Sequence, residues 1–326
     1  MKLLVTGGTG KVGQAFLPAF LSDLRFEDWE VAALCNNRTV MPADRLSVVA
    51  GSMSDPAVVA GAMQGVSHVI HMAAVKETPE QIFDVALKGL FLLLDAFRKS
   101  DTARQFILLS GDCTVGHIFQ RYDEPITEAS ARRAYKGCYA LTKTLEEVML
   151  EQFGIQYGVN WTTLRAPWIM EKDDFRFALA LDDDQFGGPS WAELIDADAL
   201  EECRKGGYAP VMRDAGGGYL RRNFVHIDDL VGAILAAIDN PHATGQLFNI
   251  SMDQPVDYGD LGARLAARHG LRPIEIDTPF HSNWLDNSKA RMLLGWAPQV
   301  DLEQLIDRAW RYERADNDPR IVWYPG

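Results

Sequence analysis

The chain has 326 residues, 47% hydrophobic and 24% charged, a composition that excludes disordered, collagen-like and disulfide-scaffold architectures and suffices for a large core. With 45 acids against 32 Lys and Arg, the net charge of −13 has the wrong sign for a nucleic-acid footprint or an anionic membrane surface. Four scattered cysteines (Cys35, Cys113, Cys138, Cys203) with no CxxC pair argue against metal and disulfides and for reduced thiols in a cytoplasm.

In chain order, Lys2 to Thr6 (KLLVT) is a short apolar run ending in glycines and reads as a buried parallel strand. It is too short for a signal-peptide core. Val12 to Leu24 has helical spacing, with Phe16, Leu17, Phe20 and Leu21 on one side and Pro18 expected to kink or crowd its first turns. Glu30 to Leu34 and Leu46 to Ala50 follow as strands, Val58 to Met63 as a short helix, and His68 to Ala73 as the fourth strand. Ile82 to Arg98 reads as a long helix, whose Asp84, Lys88 and Asp95 rule out a bilayer span of about 20 apolar residues. Phe106 to Leu109, the helix Tyr139 to Phe153 and Trp161 to Leu164 continue the alternation. The predicted class is therefore α/β, a right-handed, doubly wound parallel sheet.

After Arg165 the rhythm breaks. Residues 171–221 hold an acidic run (Asp182 to Asp184), a GGP turn (Gly187 to Pro189) and a GGG turn (Gly216 to Gly218). Alternation returns over Asn223 to Asp239, with Asp228 as the expected N-cap. This divides the chain into a sheet domain, 1–170 plus 223–240, and a smaller discontinuous lobe, 171–222 plus 241–326, over the strand ends.

Two motifs carry chemistry. Thr6-Gly7-Gly8-Thr9-Gly10-Lys11-Val12-Gly13 is a GxxGxxG loop between the first strand and the first helix. Gly7 permits the tight turn, Gly10 lets the backbone approach a pyrophosphate, and Gly13 lets the helix pack on the strand. Tyr139 and Lys143 stand i, i+4 on one helix face, where an ammonium is expected to lower a phenol pKa from about 10 toward neutrality.

TGGTGKVG with YALTK, in this order, resembles the extended short-chain dehydrogenases/reductases, the NAD-dependent epimerase/dehydratase family. The likeness continues in VIHMAA (Val69 to Ala74), Arg165-Ala166-Pro167, RNFVHIDD (Arg222 to Asp229), QLFNI (Gln246 to Ile250) and LDNSKARMLLGWAP (Leu285 to Pro298). The resemblance implies a Rossmann sheet domain that binds NAD or NADP and a C-terminal lobe that binds a sugar-like substrate. It places the cofactor against Gly7, Thr9, Gly10, Lys11, Val12, Gly13, Cys35, Asn36, Arg38, Ser52, Met53, Ala73, Ala74, Tyr139, Lys143 and Pro167. Tyr139 would exchange a proton with a substrate hydroxyl while hydride passes at that carbon, and Lys143 would bind the nicotinamide ribose.

Departures from the family pattern follow the fifth strand, in Ser110-Gly111-Asp112-Cys113-Thr114-Val115-Gly116. Gly111 stands where the catalytic serine is usual. Asp112 then hydrogen-bonds the substrate, serves as a second acid, or only caps its loop, and Ser110 or Thr114 is a candidate for the missing hydroxyl. Leu34 to Arg38 lacks the acid that marks NAD-preferring members, and Arg38 suits a 2′-phosphate, so NAD and NADP stay open. Lys76 and Arg222 are substrate candidates.

The expected activity is hydride transfer at a secondary alcohol or ketone carbon of a sugar-like substrate. Its rivals are a sugar-nucleotide epimerase or dehydratase, and an NAD(P) sensor without turnover. Residues 171–221 carry twelve acids against six bases, which leans away from a diphosphate-bearing substrate. Ile82 to Phe97 is apolar nearly all round, and with Leu141, Leu145, Val148, Met149 and Phe153 on the Tyr139 helix it predicts a homodimer.

Overall fold

A computed structural model of the chain describes residues 1–180, 191–318 and 320. The run Asp182 to Asp184 and the GGP turn lie outside the described residues. The first half alternates as its apolar runs require: β1 (Lys2–Thr6), α1 (Lys11–Ser22), β2 (Glu30–Cys35), β3 (Leu46–Ala50), α2 (Pro56–Ala62) and β4 (His68–His71). A long helical rod follows, made of α3 (Pro79–Ile82), a π-helical stretch over Phe83–Gly89, and α4 (Leu90–Arg98). Next come β5 (Gln105–Gly111), α5 (Cys138–Tyr157), β6 (Trp161–Ala166) and β7 (Trp168–Met170). The second half holds α6 (Asp174–Phe177), α7 (Trp191–Leu194), α8 (Ala197–Arg204), β8 (Tyr208–Arg213), β9 (Arg221–Arg222), β10 (Phe224–His226) and α9 (Ile227–Ala237). It ends with β11 (Gln246–Asn249), β12 (Val256–Asp257), α10 (Tyr258–His269), β13 (Arg272–Asp277), α11 (Ser288–Leu294) and α12 (Leu302–Arg311).

Seven strands form one parallel sheet in the order β11-β6-β5-β4-β1-β2-β3. All of these strands except the edge strand β3 are buried on both faces, which is why the sequence shows continuous apolar runs rather than alternation. One face packs against α1 and α9 and the other against α2, α4 and α5. The strand order reverses between β1 and β4, so the crevice for a ligand opens there, beyond their carboxyl ends. A separate core joins β8, β13, α10 and α12 in the smaller lobe. No helix among the described residues is long and apolar enough to cross a membrane.

Three local expectations change. Gln246–Asn249, assigned to the lobe from sequence, pairs with β6 at the sheet edge, and Ala290, Leu294 and Trp296 pack into the sheet core beside it. Asp228 is not the N-cap of α9. The helix starts directly after β10, so His226 Nδ1 accepts the Asp228 amide, and the Asp228 carboxylate pairs with Arg308 at 2.6 Å. Pro18 does not break α1, because it sits on the exposed face where water can satisfy the carbonyl it leaves bare. The π-helical stretch has a packing cause at its end. A Cβ on Gly89 would lie 2.7 Å from the Met53 side chain, which fills the space beneath it.

A buried charge ties the layers together. Glu147, 1% exposed in the middle of α5, accepts at Oε1 from Ser110 Oγ (2.6 Å), Thr114 Oγ1 (3.1 Å) and Arg165 Nε (3.2 Å). Its Oε2 accepts from Arg165 Nη2 (2.8 Å) and Arg132 Nε (2.9 Å). Burial pushes this carboxyl up, and Arg165, Ser110 and Arg132 more than offset it, leaving its pKa below the usual value. Replacing Glu147 with Leu strands the buried Arg165 guanidinium and should cost about 3–5 kcal/mol in chemical denaturation. A variant within about 1 kcal/mol of wild type would deny the carboxylate this role.

Candidate active site

The glycine loop lies against the end of β4. Gly7 has φ +74°, and a Cβ there would sit 2.5 Å from the Ala73 nitrogen. A Cβ on Gly13 would sit 2.4 Å from the Gly7 carbonyl oxygen. Only glycine allows this cradle. Gly10 is the N-cap of α1 and offers no side-chain cap, so the helix's first amides are left to an anion in the crevice. A pyrophosphate fits that donor set. The Lys11 ammonium turns to the other lobe, donating to Asp174 Oδ2 (2.7 Å) and the Ile169 carbonyl (3.3 Å). Beneath the loop, Thr6 Oγ1 bonds His71 Nδ1 at 2.7 Å, and burial pushes His71 down to about 3, so the ring is neutral.

The other residues singled out for the cofactor stand at the strand ends. Thr9 accepts from Gln14 through its carbonyl, and Val12 is core. Cys35 is buried, Asn36 exposed and Arg38 half-buried after β2. Ser52 Oγ meets Ser54 Oγ at 2.8 Å, while the Met53 side chain is core. Ala73 and Ala74 are half-buried after β4, and Pro167 is buried between β6 and β7.

Tyr139 and Lys143 are presented by the first turns of α5. That terminus is capped by a residue far away in sequence. Glu77 Oε2 accepts the amide of Cys138 (2.9 Å) and that of Tyr139 (3.5 Å). Gly137, at φ +145°, makes room, since a Cβ there would lie 2.4 Å from Glu77 Oε1. The Lys143 ammonium donates to the Leu109 carbonyl (3.2 Å) and Glu146 Oε2 (2.7 Å), both groups buried. Lys76 Nζ stands 3.9 Å over the centroid of the Tyr139 ring. Enclosure by its neighbours and the nearby Lys143 and Lys11 charges, against the Cys113 and Glu77 attraction, lower the pKa of this solvent-reached ammonium.

The expected depression of the Tyr139 phenol does not occur. Burial, with Cys113, Tyr135, Glu146 and Asp112 around it, holds its pKa well above the usual value. Burial is the main cause, and Glu146, paired with Lys143 at 2.7 Å, adds to it. Burial raises the Glu146 carboxyl, and its Oε1 has no partner among the described residues. Burial also pushes the Cys113 thiol up to about 12, which leaves it no nucleophile.

The turn after β5 also departs from expectation. Ser110 and Thr114 spend their hydroxyls on Glu147, so neither replaces the serine absent at Gly111. Asp112, 7% exposed, joins His117 Nδ1 at 2.5 Å. Arg222 does not face the crevice directly. It is 2% exposed, its Cζ lies 3.3 Å over the Trp168 ring, and its Nη2 donates to His117 Nε2 at 2.7 Å. Sequence reasoning did not find Glu77, Glu146 or Tyr135. Of these only Glu146 had a local signal, three residues after Lys143 on the same helix face.

The model of the NAD dependent epimerase/dehydratase family matches residues 3–170. UDP-glucuronate 4-epimerase 4 from Arabidopsis thaliana is 24% identical over 352 residues, covering 95% of this chain and 74% of the relative. A short-chain dehydrogenase/reductase superfamily protein from Agrobacterium tumefaciens, solved with bound NAD, superposes with a TM-score of 0.75 at 24% identity. That match covers 95% of this chain and 96% of the other. UDP-glucuronic acid 4-epimerase from Bacillus cereus in complex with NAD gives a TM-score of 0.71 at 17% identity, covering 96% and 98%.

Glu146→Gln removes one of the acids that raise the phenol and releases the Lys143 charge toward it. Tyrosinate absorbance that is lost in Tyr139→Phe should then develop about one pH unit lower than in wild type. An unmoved titration would show that Glu146 does not set the state of Tyr139.

Proposed function

Because the chain belongs to the NAD-dependent epimerase/dehydratase family, within the extended short-chain dehydrogenases/reductases, we propose hydride transfer at a secondary alcohol or ketone carbon of a sugar-like substrate, with NAD as cofactor. Membership of a family of enzymes sets aside the reading as a sensor without turnover. The carrying observation is the pairing of an uncapped glycine loop at the β1/β4 reversal with Tyr139 and Lys143 at the start of α5.

Bound NAD would take up or return the hydride. The amides after Gly10 would hold its pyrophosphate, and Lys143, fixed by Leu109 and Glu146, would meet its ribose. Tyr139, protonated as it stands, would donate to the oxygen of a carbonyl being reduced and take that proton back in the reverse direction. Residues 1–170 and 223–240, extended by β11, would form the cofactor domain, and the remaining lobe would cover the substrate.

The state of Arg222 supports a substrate without a diphosphate. Its guanidinium is stacked on Trp168 and committed to His117, so it is not presented to a phosphate. Similarity to UDP-sugar 4-epimerases along 95% of the chain favours the second reading, a sugar-nucleotide epimerase. Incubating the protein and NAD with D-glucose, D-glucuronate, UDP-glucose and UDP-glucuronate, with NADH and epimer formation followed, separates the two. We expect turnover of a free sugar or sugar acid. Tyr139→Phe should reduce it at least about 100-fold with NAD affinity preserved. Turnover confined to the UDP-sugars would replace the first reading by the second, and an active Tyr139→Phe would remove the assigned role.

We also propose a homodimer through the rod and α5. Phe83, Phe91, Leu141, Leu145 and Val148 are exposed together on this face, an apolar patch that pairing across a two-fold axis would bury. Light scattering should give about twice the 36.3 kDa chain mass, and Leu145→Glu should halve it. A wild-type mass equal to one chain would end this proposal.

A further inference from the structure

We infer that Arg222, His117 and Asp112 form a fixed relay, in which His117 is a positioning residue that holds Asp112 as a hydrogen-bond acceptor for a substrate hydroxyl. The inference rests on the proposed function for its substrate and on the geometry alone for the relay itself.

The direction of each bond follows from chemistry. A guanidinium has donors only, so the 2.7 Å contact from Arg222 Nη2 makes His117 Nε2 an acceptor. The ring proton must then sit on Nδ1, where it donates to Asp112 Oδ2 at 2.5 Å. His117 is neutral with both nitrogens committed, and it has no proton to give a substrate. Burial, with Arg222 opposing the Asp112 attraction, keeps its imidazole below the usual pKa.

The surroundings fix the ring. His117 has φ +48°, a strained value for a residue other than glycine, which persists only where neighbours over-determine it. Its carbonyl accepts from Asn283 Nδ2, and its ring stacks on Trp168 with centroids 5.9 Å apart at 24°. Arg222 lies on the same indole. The turn after β5, β7, β9 and the loop at Asn283 thus converge on one imidazole.

Asp112 Oδ2 is taken by His117, and Oδ1 has no hydrogen bond among the described residues. The side chain keeps 10% exposure, and its charge reaches the phenols of Tyr139 and Tyr135. An open carboxylate oxygen in the turn after β5 selects a donor, a hydroxyl or amine, and repels a carboxylate or phosphate. It therefore supplies by acceptance the orientation that the serine missing at Gly111 would give.

Two measurements test the relay. Long-range proton–nitrogen spectra of the histidine-labelled protein, assigned through His117→Asn and His117→Phe, should show His117 as the neutral Nδ1–H tautomer at neutral pH. An Nε2–H tautomer or a doubly protonated ring overturns the relay, whatever the substrate proves to be. Kinetics use whichever of the four compounds is turned over. His117→Phe keeps a ring on Trp168 without its hydrogen bonds and should raise that compound's KM about tenfold, with KM for NAD within about twofold. His117→Asn restores an N–H toward Asp112 and should recover most of the loss. Equal losses for NAD and substrate, or no recovery in His117→Asn, reduce His117 to a structural role. If none of the four compounds is turned over, the proposed function fails and the tautomer still decides the relay.

Discussion

The Glu147 carboxylate, sealed between α5 and the sheet, sets the geometry on which the rest of the site depends. A charge moved into a low-dielectric interior is tolerated only when its oxygens are saturated, and this one collects five donors. Those donors come from β5, the turn after it, the segment around Arg132, and β6, so the register of α5 on the sheet has one solution. Lys143 and Tyr139 stand one and two helical turns earlier on the same helix and inherit that register. Glu77 clamps the far end by capping the helix at Cys138 and Tyr139. The price of this arrangement is chemical: Ser110 and Thr114 serve the fold, and the site must find its substrate contacts elsewhere.

The same logic of saturated charges governs the reactive groups. Lys143 is matched by Glu146, Lys11 by Asp174, and Arg222 reaches Asp112 through a neutral imidazole. Cations gathered at the strand ends of a strongly acidic chain are thereby offset locally. The consequence for Tyr139 runs opposite to a reading of the Tyr–Lys spacing by itself. Burial raises the phenol first, and Glu146, paired with Lys143, adds to that rise. The phenol accordingly stands ready as a donor.

The fold was legible where structure is made by neighbours in the chain. The apolar runs ending in glycine, the GxxGxxG spacing and the Tyr139–Lys143 pair are local signals, and the sheet with its crevice follows from them. Structure made by residues far apart was not legible. Glu77 lies 61 residues before Cys138, and Arg222 lies 105 residues after His117. No periodicity records such pairings. The lobe boundary failed for a related reason. Gln246–Asn249 is too short to announce its sheet, and only the open edge of β6 decides where it goes. Asp228 was misplaced because the extended last residue of β10, His226, takes the N-cap position and its ring accepts the Asp228 amide.

The two lobes meet through charges that also touch the crevice, which couples their orientation to what the crevice holds. Lys11 belongs to the glycine loop, yet its ammonium bonds Asp174 of α6. Asp173 beside it is buried under Arg314 and Arg320 from the end of the chain. At the other strand end, Arg222 of β9 reaches the turn after β5 through His117. Apolar contacts of Ile118, Met170 and Phe224 with the core of the smaller lobe accompany these pairs, so packing and directional charge seat the lobes together.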